Sequence, residues 1–277
     1  YKYYVQFLAR YQPKMFVFEN VLGIITAKRG EPFADLKKLV DELGYDMAAK
    51  VQIASQHGVL QNRQRVIIVG WKRNVSPKYG YPELEIEDMP YTVMNDLFSD
   101  LPNRKAGEGK LCEPIYYTRP LSEMEYLEKS GIRGVLNFTT QHLARPTNDN
   151  DREIYKIAVE MWKDGKRRLN YAQLPSRLQK HKNKETFLNR FSVVDPDGYC
   201  HTVVAHIAMD GHYYIYPTPN PTLDNVRSIT VREAARLQSF PDDYFFEGSR
   251  TSALMQIGNA VPVILAQKIA EAIKKKL

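Results

Sequence analysis

The 277 residues are 43% apolar and 26% charged, a globular composition long enough for one large or two ordinary domains. No run approaches the roughly 20 apolar residues of a membrane helix, the opening Tyr-Lys-Tyr-Tyr is no signal peptide, and two cysteines without paired spacing, Cys112 and Cys200, argue against a zinc cluster or disulfide framework and fit a reducing compartment. The formal net charge is +7, and nine Lys/Arg against two acidic residues between Lys163 and Arg190 account for all of it, which points to a polyanion and puts Lys166, Arg167 and Arg168 forward as contacts.

In chain order, Tyr1, Tyr4, Val5 and Leu8 share one helical face, and Pro13 ends that element. Met15 to Phe18 is an apolar run that stops at Glu19-Asn20-Val21. It reads as a strand buried on both faces, of the parallel-sheet kind. Gly23 to Gly30 reads as a loop. A helix follows from Pro32, with Phe33, Leu36, Leu39, Val40 and Leu43 inward and Gly44 as its cap. Strands are expected at about 46–54 and at 66–71, too close together for a helical crossover and therefore antiparallel to each other. This much is an α/β sheet layer.

From Pro77 to about Pro221 the texture is irregular. A helical turn is expected near Asp96 to Leu101, and a helix carrying Ile154, Ile157, Ala158 and Met161. Strands are expected at Val193-Val194, Val203-Ala205 and Tyr213-Tyr216. Order returns with the capping box Thr230-Val231-Arg232-Glu233, and a last helix is expected from Val261.

Three groups of residues carry chemistry. A carboxyl at a strand end, such as Glu19, can hold and deliver a proton there. Gln61, Arg63 and Arg65 project to one side of an extended segment, two guanidinium forks suited to phosphate or a planar polar edge. Gln256-Ile257-Gly258-Asn259-Ala260-Val261-Pro262 allows close backbone approach at Gly258, with Asn259 either capping the last helix or touching a ligand.

In this order and spacing, Glu19-Asn20-Val21, Gln61-x-Arg63-x-Arg65, the run from Arg227 through Arg232-Glu233 to Asp242, and Gln256-x-Gly258-Asn259-Ala260-Val261 resemble the DNA (cytosine-5)-methyltransferases. The likeness covers about residues 1–75 and 225–277. It implies an α/β, Rossmann-like AdoMet-dependent methyltransferase sheet, partial here, with a second, smaller, irregular target-recognition domain. The implied divisions are 1–75 catalytic, 76–225 recognition, and 226–277 hinge and returning helix. The implied activity is transfer of a methyl group from S-adenosyl-L-methionine to cytosine C5 in double-stranded DNA, with the base flipped out. A cysteine thiolate adds to C6 in that chemistry. By the same likeness Glu19 holds the flipped base at N3 and its amino group, Arg65 holds the base oxygen and a nearby phosphate, and Arg63 supports it. Asn259 and Val261 lie near the cofactor, Arg227 and Arg232 brace the domains, and Thr202 lies near the DNA backbone.

The family's Phe-x-Gly-x-Gly cofactor loop and its Pro-Cys segment have no match in this sequence. Gly107-Glu108-Gly109, Cys112 and Cys200 stand in the wrong contexts. The expectation is therefore a chain that begins after the catalytic loop, lacks turnover alone, and is completed by an N-terminal segment or a second polypeptide over an otherwise exposed strand edge. The setting implied is a bacterial restriction-modification system in the cytoplasm, near the nucleoid, away from membranes. The alternative of another class is a non-catalytic DNA-binding or regulatory subunit, and a third is the RNA-methylating branch, which the long insert disfavours.

Overall fold

The computed structural model describes residues 1–75, 79–87, 89–183 and 185–277. The expected domain boundary at 76, and Pro77 as the start of the irregular region, lie outside them. The chain forms two compact units, one of Tyr1–Gly58, Asn62–Met89 and Ile264–Leu277, the other of Val59–Gln61 and Pro90–Val263. Of residues 226–277, expected as hinge and returning helix, 226–263 group with the second unit and Ile264–Leu277 with the first. The reason for the former is the buried ion pairs of that stretch, described below.

The first unit runs α1 (Lys2–Tyr11), β1 (Met15–Asn20), α2 (Gly23–Thr26), α3 (Glu31–Glu42), β2 (Tyr45–Ile53) and β4 (Gln64–Lys72), while of β3 (Gln61–Asn62) Asn62 belongs to it and Gln61 to the second unit. The α3 helix starts where Pro32 fits the first turn and ends before Gly44, whose φ of 82° needs no Cβ. The expected loop at 23–30 holds α2 and a tight turn, with Lys28 and Arg29 left-handed.

The sheet order is β1-β4-β2, with both pairings antiparallel. The pairing of β2 with β4 is as expected. The parallel, doubly buried reading of β1 is not. The strand covered on both faces is the central β4, where Val66 to Val69 are 0–1% exposed. A short apolar run cannot tell these apart, because only the partner strands decide which strand is central. Val17 of β1 is 38% exposed, as are Tyr3, Phe7 and Tyr11 of α1 more strongly. The core of this unit joins Leu8, Phe16, Ile24, Leu36, Val40, Tyr45, Val66 and Ile68. Gly70 faces Phe16 across the ladder, and a Cβ there would sit 2.1 Å from the ring.

The second unit has little sheet. A π-helical turn spans Val93–Phe98, slightly ahead of the expected one. Then come β5 (Ile115–Tyr116), α4 (Glu125–Lys129), β6 (Phe138–Thr139), α5 (Asp149–Lys163), β7 (Cys200–His201), α6 (Val231–Leu237), α7 (Arg250–Asn259) and α8 (Val263–Lys274), whose last residues belong to the first unit. The α5 helix is capped by the Asn148 side chain accepting from Asp151 N. It packs Ile154, Tyr155, Ala158 and Val159 against Tyr171, Phe191 and Ile215. The strands expected at 193–194, 203–205 and 213–216 are not ladders. Only single bridges, Val193 to Ile215 and Ile215 to Ser228, form there, and Ala205–Ala208 is a 3-10 turn. Apolar runs in this unit are buried by packing around polar hubs, so their alternation does not report a sheet.

The helix expected from Val261 begins at Val263, and α7 before it went unread. Taken as one stretch, Arg250–Lys274 is long and apolar enough by length and composition to cross a membrane, which the sequence reading had not found. It is two helices, separated by extended backbone at Ala260. Ala253, Leu254, Ile257, Leu265 and Ile269 are buried.

Candidate functional site

The register of β1 on β4 builds the site. Glu19 is opposite Ile67, so Arg65, two residues along, is its diagonal neighbour on the same face. The Glu19 carboxylate accepts from Arg65 Nε at 2.9 Å, with the two side chains 27% and 11% exposed. Arg65 Nη1 donates to the Gln64 carbonyl at 2.7 Å, which fixes the fork's orientation. Along 61–65, Gln61 and Arg63 are buried while Asn62 and Gln64 are exposed, the alternation expected of extended chain. Arg63 is 2% exposed, and its carbonyl accepts from Ala54 N at 2.9 Å. A carboxylate and a guanidinium held in contact at a strand end can together present donors and an acceptor to one flat polar ring.

Gln61 departs from the expected nucleic-acid set. It is fully buried in the second unit. Its amide nitrogen donates to Leu237 O at 2.8 Å and Gln238 Oε1 at 3.0 Å, and its oxygen accepts from Val203 N at 2.8 Å. That is a structural pin, with both amide hydrogens committed inside the protein.

Arg227 and Arg232 brace the interior of the second unit. Arg227 donates from both terminal nitrogens to Glu233, at 2.7 and 2.8 Å, and lies 3.9 Å over the Tyr216 ring. Arg232 donates to the carbonyls of Thr140, Pro241 and Tyr244. The expected capping box is present, and Glu233 serves it and Arg227 together. Arg236 was not singled out from sequence, yet it holds Asp100 and Asp242 at once. Charged residues on a fully buried helix have no signal in apolar periodicity.

Lys166, Arg167 and Arg168 are exposed. Lys166 Nζ lies 3.4 Å from Asp195 and 3.8 Å from Asp197, and Arg167 pairs with Asp164. Such surface pairs are weak and leave cations for a polyanion. Thr202 lines a cavity of about 560 Å³ together with His201 and His206, residues that sequence reading passed over.

Asn259 is the last residue of α7, not a cap of α8, and is exposed, while Val261 is half-buried on the extended link. Gly258 just before them is required by close approach. A Cβ there would lie 2.3 Å from Ala205 N and from the Val204 carbonyl carbon. Cys200 is fully buried, and desolvation pushes its thiol far up, so it is no nucleophile. Cys112 is exposed. Among the described residues no group of three or more His, Cys, Asp or Glu is arranged to hold a metal ion.

An α/β layer joined to an irregular second unit is the kind of arrangement that solved methyltransferases of the AdoMet-dependent fold share. The fold likeness agrees. An E. coli prophage-encoded protein described as a DNA modification methyltransferase superposes with TM-score 0.61 at 22% identity, over 99% of this chain and 73% of that one. The Entamoeba histolytica methyltransferase EhMeth gives 0.51 at 12%, over 95% and 63%. The family model for C-5 cytosine-specific DNA methylase matches residues 1–275, and the chain belongs to that family. Its curated relatives include the type II methyltransferases M.Bpa9945I of Bacillus paralicheniformis, 40% identical over 99% of this chain, and M.DdeI of Desulfomicrobium norvegicum, 31% over 98%. The chain spans 63% and 65% of their lengths. Methyltransferases of this fold use S-adenosyl-L-methionine.

Proposed function

We propose that this chain forms the base-holding part of a bacterial, cytoplasmic DNA (cytosine-5)-methyltransferase that acts on a cytosine flipped out of duplex DNA. The Glu19–Arg65 contact at 2.9 Å is the observation that carries the reading. In its protonated form Glu19 donates to cytosine N3 and accepts from the amino group. The Arg65 fork, held in place by Glu19 and the Gln64 carbonyl, offers Nη2 to the base oxygen, and Arg63 behind it keeps that side of the strand cationic. Holding a proton at N3 draws electron density from the ring and makes C6 a better acceptor. A pure binding module has no need of an acid in that place, which favours this reading over a non-catalytic subunit.

The residues near the expected cofactor fit S-adenosyl-L-methionine. Asn259 offers an exposed amide, Val261 a half-buried apolar side chain, and Gly258 lets the end of α7 that carries Asn259 pack against Val204 and Ala205. When bound, S-adenosyl-L-methionine supplies the methyl group. Lys166, Arg167, Arg168 and Thr202 would meet the DNA backbone.

The attacking thiolate comes from a segment additional to residues 1–277. No Pro-Cys pair occurs here, and the chain spans only 63% and 65% of these two relatives. That segment is also the natural cover for the open side of β1.

The test is radiolabelled methyl transfer to duplex DNA by residues 1–277, alone and joined to an N-terminal segment bearing Pro-Cys. Turnover is expected only in the joined protein, and Glu19→Gln should lower it about a hundredfold or more. Turnover by the isolated chain would remove the need for a second segment. An unchanged rate in Glu19→Gln would remove the acid.

A further inference from the structure

The cavity beside Thr202 lies wholly within the second unit, and its volume of about 560 Å³ falls in the range of ligand pockets, roughly 300–1,000 Å³. One wall is a fixed aromatic stack. His201 and Tyr214 lie 4.9 Å apart with planes inclined by 20°. His201 Nε2 donates to the Tyr213 carbonyl at 2.6 Å. The Tyr214 hydroxyl donates to Thr202 O at 2.9 Å and accepts from Val204 N at 3.1 Å. With its proton on Nε2, His201 keeps Nδ1 as an acceptor. Burial lowers the His201 pKa and so favours that neutral ring.

At the cavity wall stands Phe187, 68% exposed and in the left-handed region with φ of 54°. A bulky residue in that region is an outlier that its surroundings must impose. Arg190 imposes it. Its Nε donates to the Phe187 carbonyl at 3.0 Å, and its Nη2 donates to the carbonyls of Asn183 and Thr186, each at 2.8 Å. The backbone that carries this exposed ring is thus held by Arg190. Lys180 and Lys182 flank His181 of the lining, both exposed, and the charge of Arg168 reaches His201.

A flat aromatic wall, a neutral acceptor and the Arg190 guanidinium of the lining, set against the Asp210 carboxylate, with exposed lysines next in the chain, together match one nucleotide. The base would stack inside and the phosphate would stay on the rim. We infer that this cavity receives one unstacked nucleobase of a DNA strand, stacked between the His201–Tyr214 wall and Phe187. This rests on the proposed function and adds a second base-holding place, in the second unit, separate from Glu19 and Arg65.

The experiment uses fluorescence anisotropy of the full chain with a labelled mixed-sequence single-stranded oligonucleotide and an abasic strand of equal length. Phe187→Ala removes the ring and Val204→Trp fills the cavity. Both positions are exposed, so the fold should survive, as circular dichroism will show. Each variant should bind the base-bearing strand about tenfold more weakly, Phe187→Tyr should restore binding, and all should bind the abasic strand alike. Unchanged affinity in both variants, or equal affinity of the wild type for the two strands, overturns the inference. Competition by free deoxynucleoside monophosphates as strong as by the strand overturns the strand as the source. If the wild type binds no DNA at all, the functional reading fails with it. Binding that ignores both variants sinks the cavity alone.

Discussion

Arg236 and Asp242 face each other as a double hydrogen bond, Nε to Oδ1 at 3.0 Å and Nη2 to Oδ2 at 2.6 Å, with both side chains shut off from solvent. Asp100 closes the other side, accepting from Nη1 at 2.5 Å. The three residues are 136 and 6 positions apart in sequence, so this hub ties the start of the second unit to α6. Breaking a buried pair leaves an uncompensated charge, at about 3–5 kcal/mol. Asp242→Ala should lower unfolding stability by that amount in urea. Replacing all three together by apolar residues of like size should cost much less than the sum of the single changes.

His142 gives the second unit an acid limit. The ring is fully buried, Nε2 lies 2.8 Å from the Pro102 carbonyl and Nδ1 3.0 Å from the Thr230 hydroxyl. A carbonyl only accepts, so the proton sits on Nε2 and Thr230 donates to Nδ1. The same Thr230 oxygen accepts from Glu233 N to cap α6. Desolvation is the main cause that lowers the His142 pKa from 6.5 to about 4. Between those values the unfolded chain takes up a proton that the folded chain refuses. Stability is therefore full above about pH 6.5 and falls toward pH 4, by roughly 3 kcal/mol. Urea midpoints at pH 7 and pH 5 check this. His142→Gln should flatten the slope without abolishing it, because burial lowers His201 and His212 in the same direction.

Much of the first unit was legible because its signals are local. Pro32 and Gly44 bound α3 as expected, and the 61–64 alternation shows as buried Gln61 and Arg63 against exposed Asn62 and Gln64. The strand positions were legible too, but the place of β1 at the edge was not, since pairing is a property of the partners. In the second unit the local signals mislead. Its core is organised by Arg227, ahead of α6, and by Arg232 and Arg236 on that helix, whose every residue is buried. Only the capping box at Thr230 announced that helix. Gln61 shows the same limit. Alternation gave its side correctly, but its partners lie at 203, 237 and 238, beyond the reach of spacing.

Gly258 is a packing requirement rather than a flexible joint. It lies inside α7, and the backbone of Val204 and Ala205 occupies the space of a side chain. Rotation cannot relieve a clash with backbone, so Gly258→Ala should cost about 3 kcal/mol or more in thermal or urea unfolding. A cost near zero would mean that α7 moves freely over the 205–208 turn. At Gly70 the atoms nearest an added Cβ all belong to the Phe16 ring. Gly70→Ala should therefore be partly rescued by Phe16→Leu, and no single side-chain change should rescue Gly258→Ala.

The fork of Arg65 can be separated from its charge. Lysine keeps one positive charge but not the planar fork whose Nε reaches Glu19 and whose Nη1 reaches the Gln64 carbonyl, so its ammonium would not hold the proposed base oxygen in the same frame. In the protein joined to a Pro-Cys segment, Arg65→Lys should bind duplex DNA within a few-fold of wild type, since the backbone attraction is electrostatic. Its methyl-transfer rate should fall about a hundredfold, near that of Arg65→Ala. Anisotropy for binding and single-turnover transfer for chemistry distinguish the two effects. If lysine restored the transfer rate, position 65 would need only a charge, and the fork geometry fixed by Gln64 would have no part in catalysis.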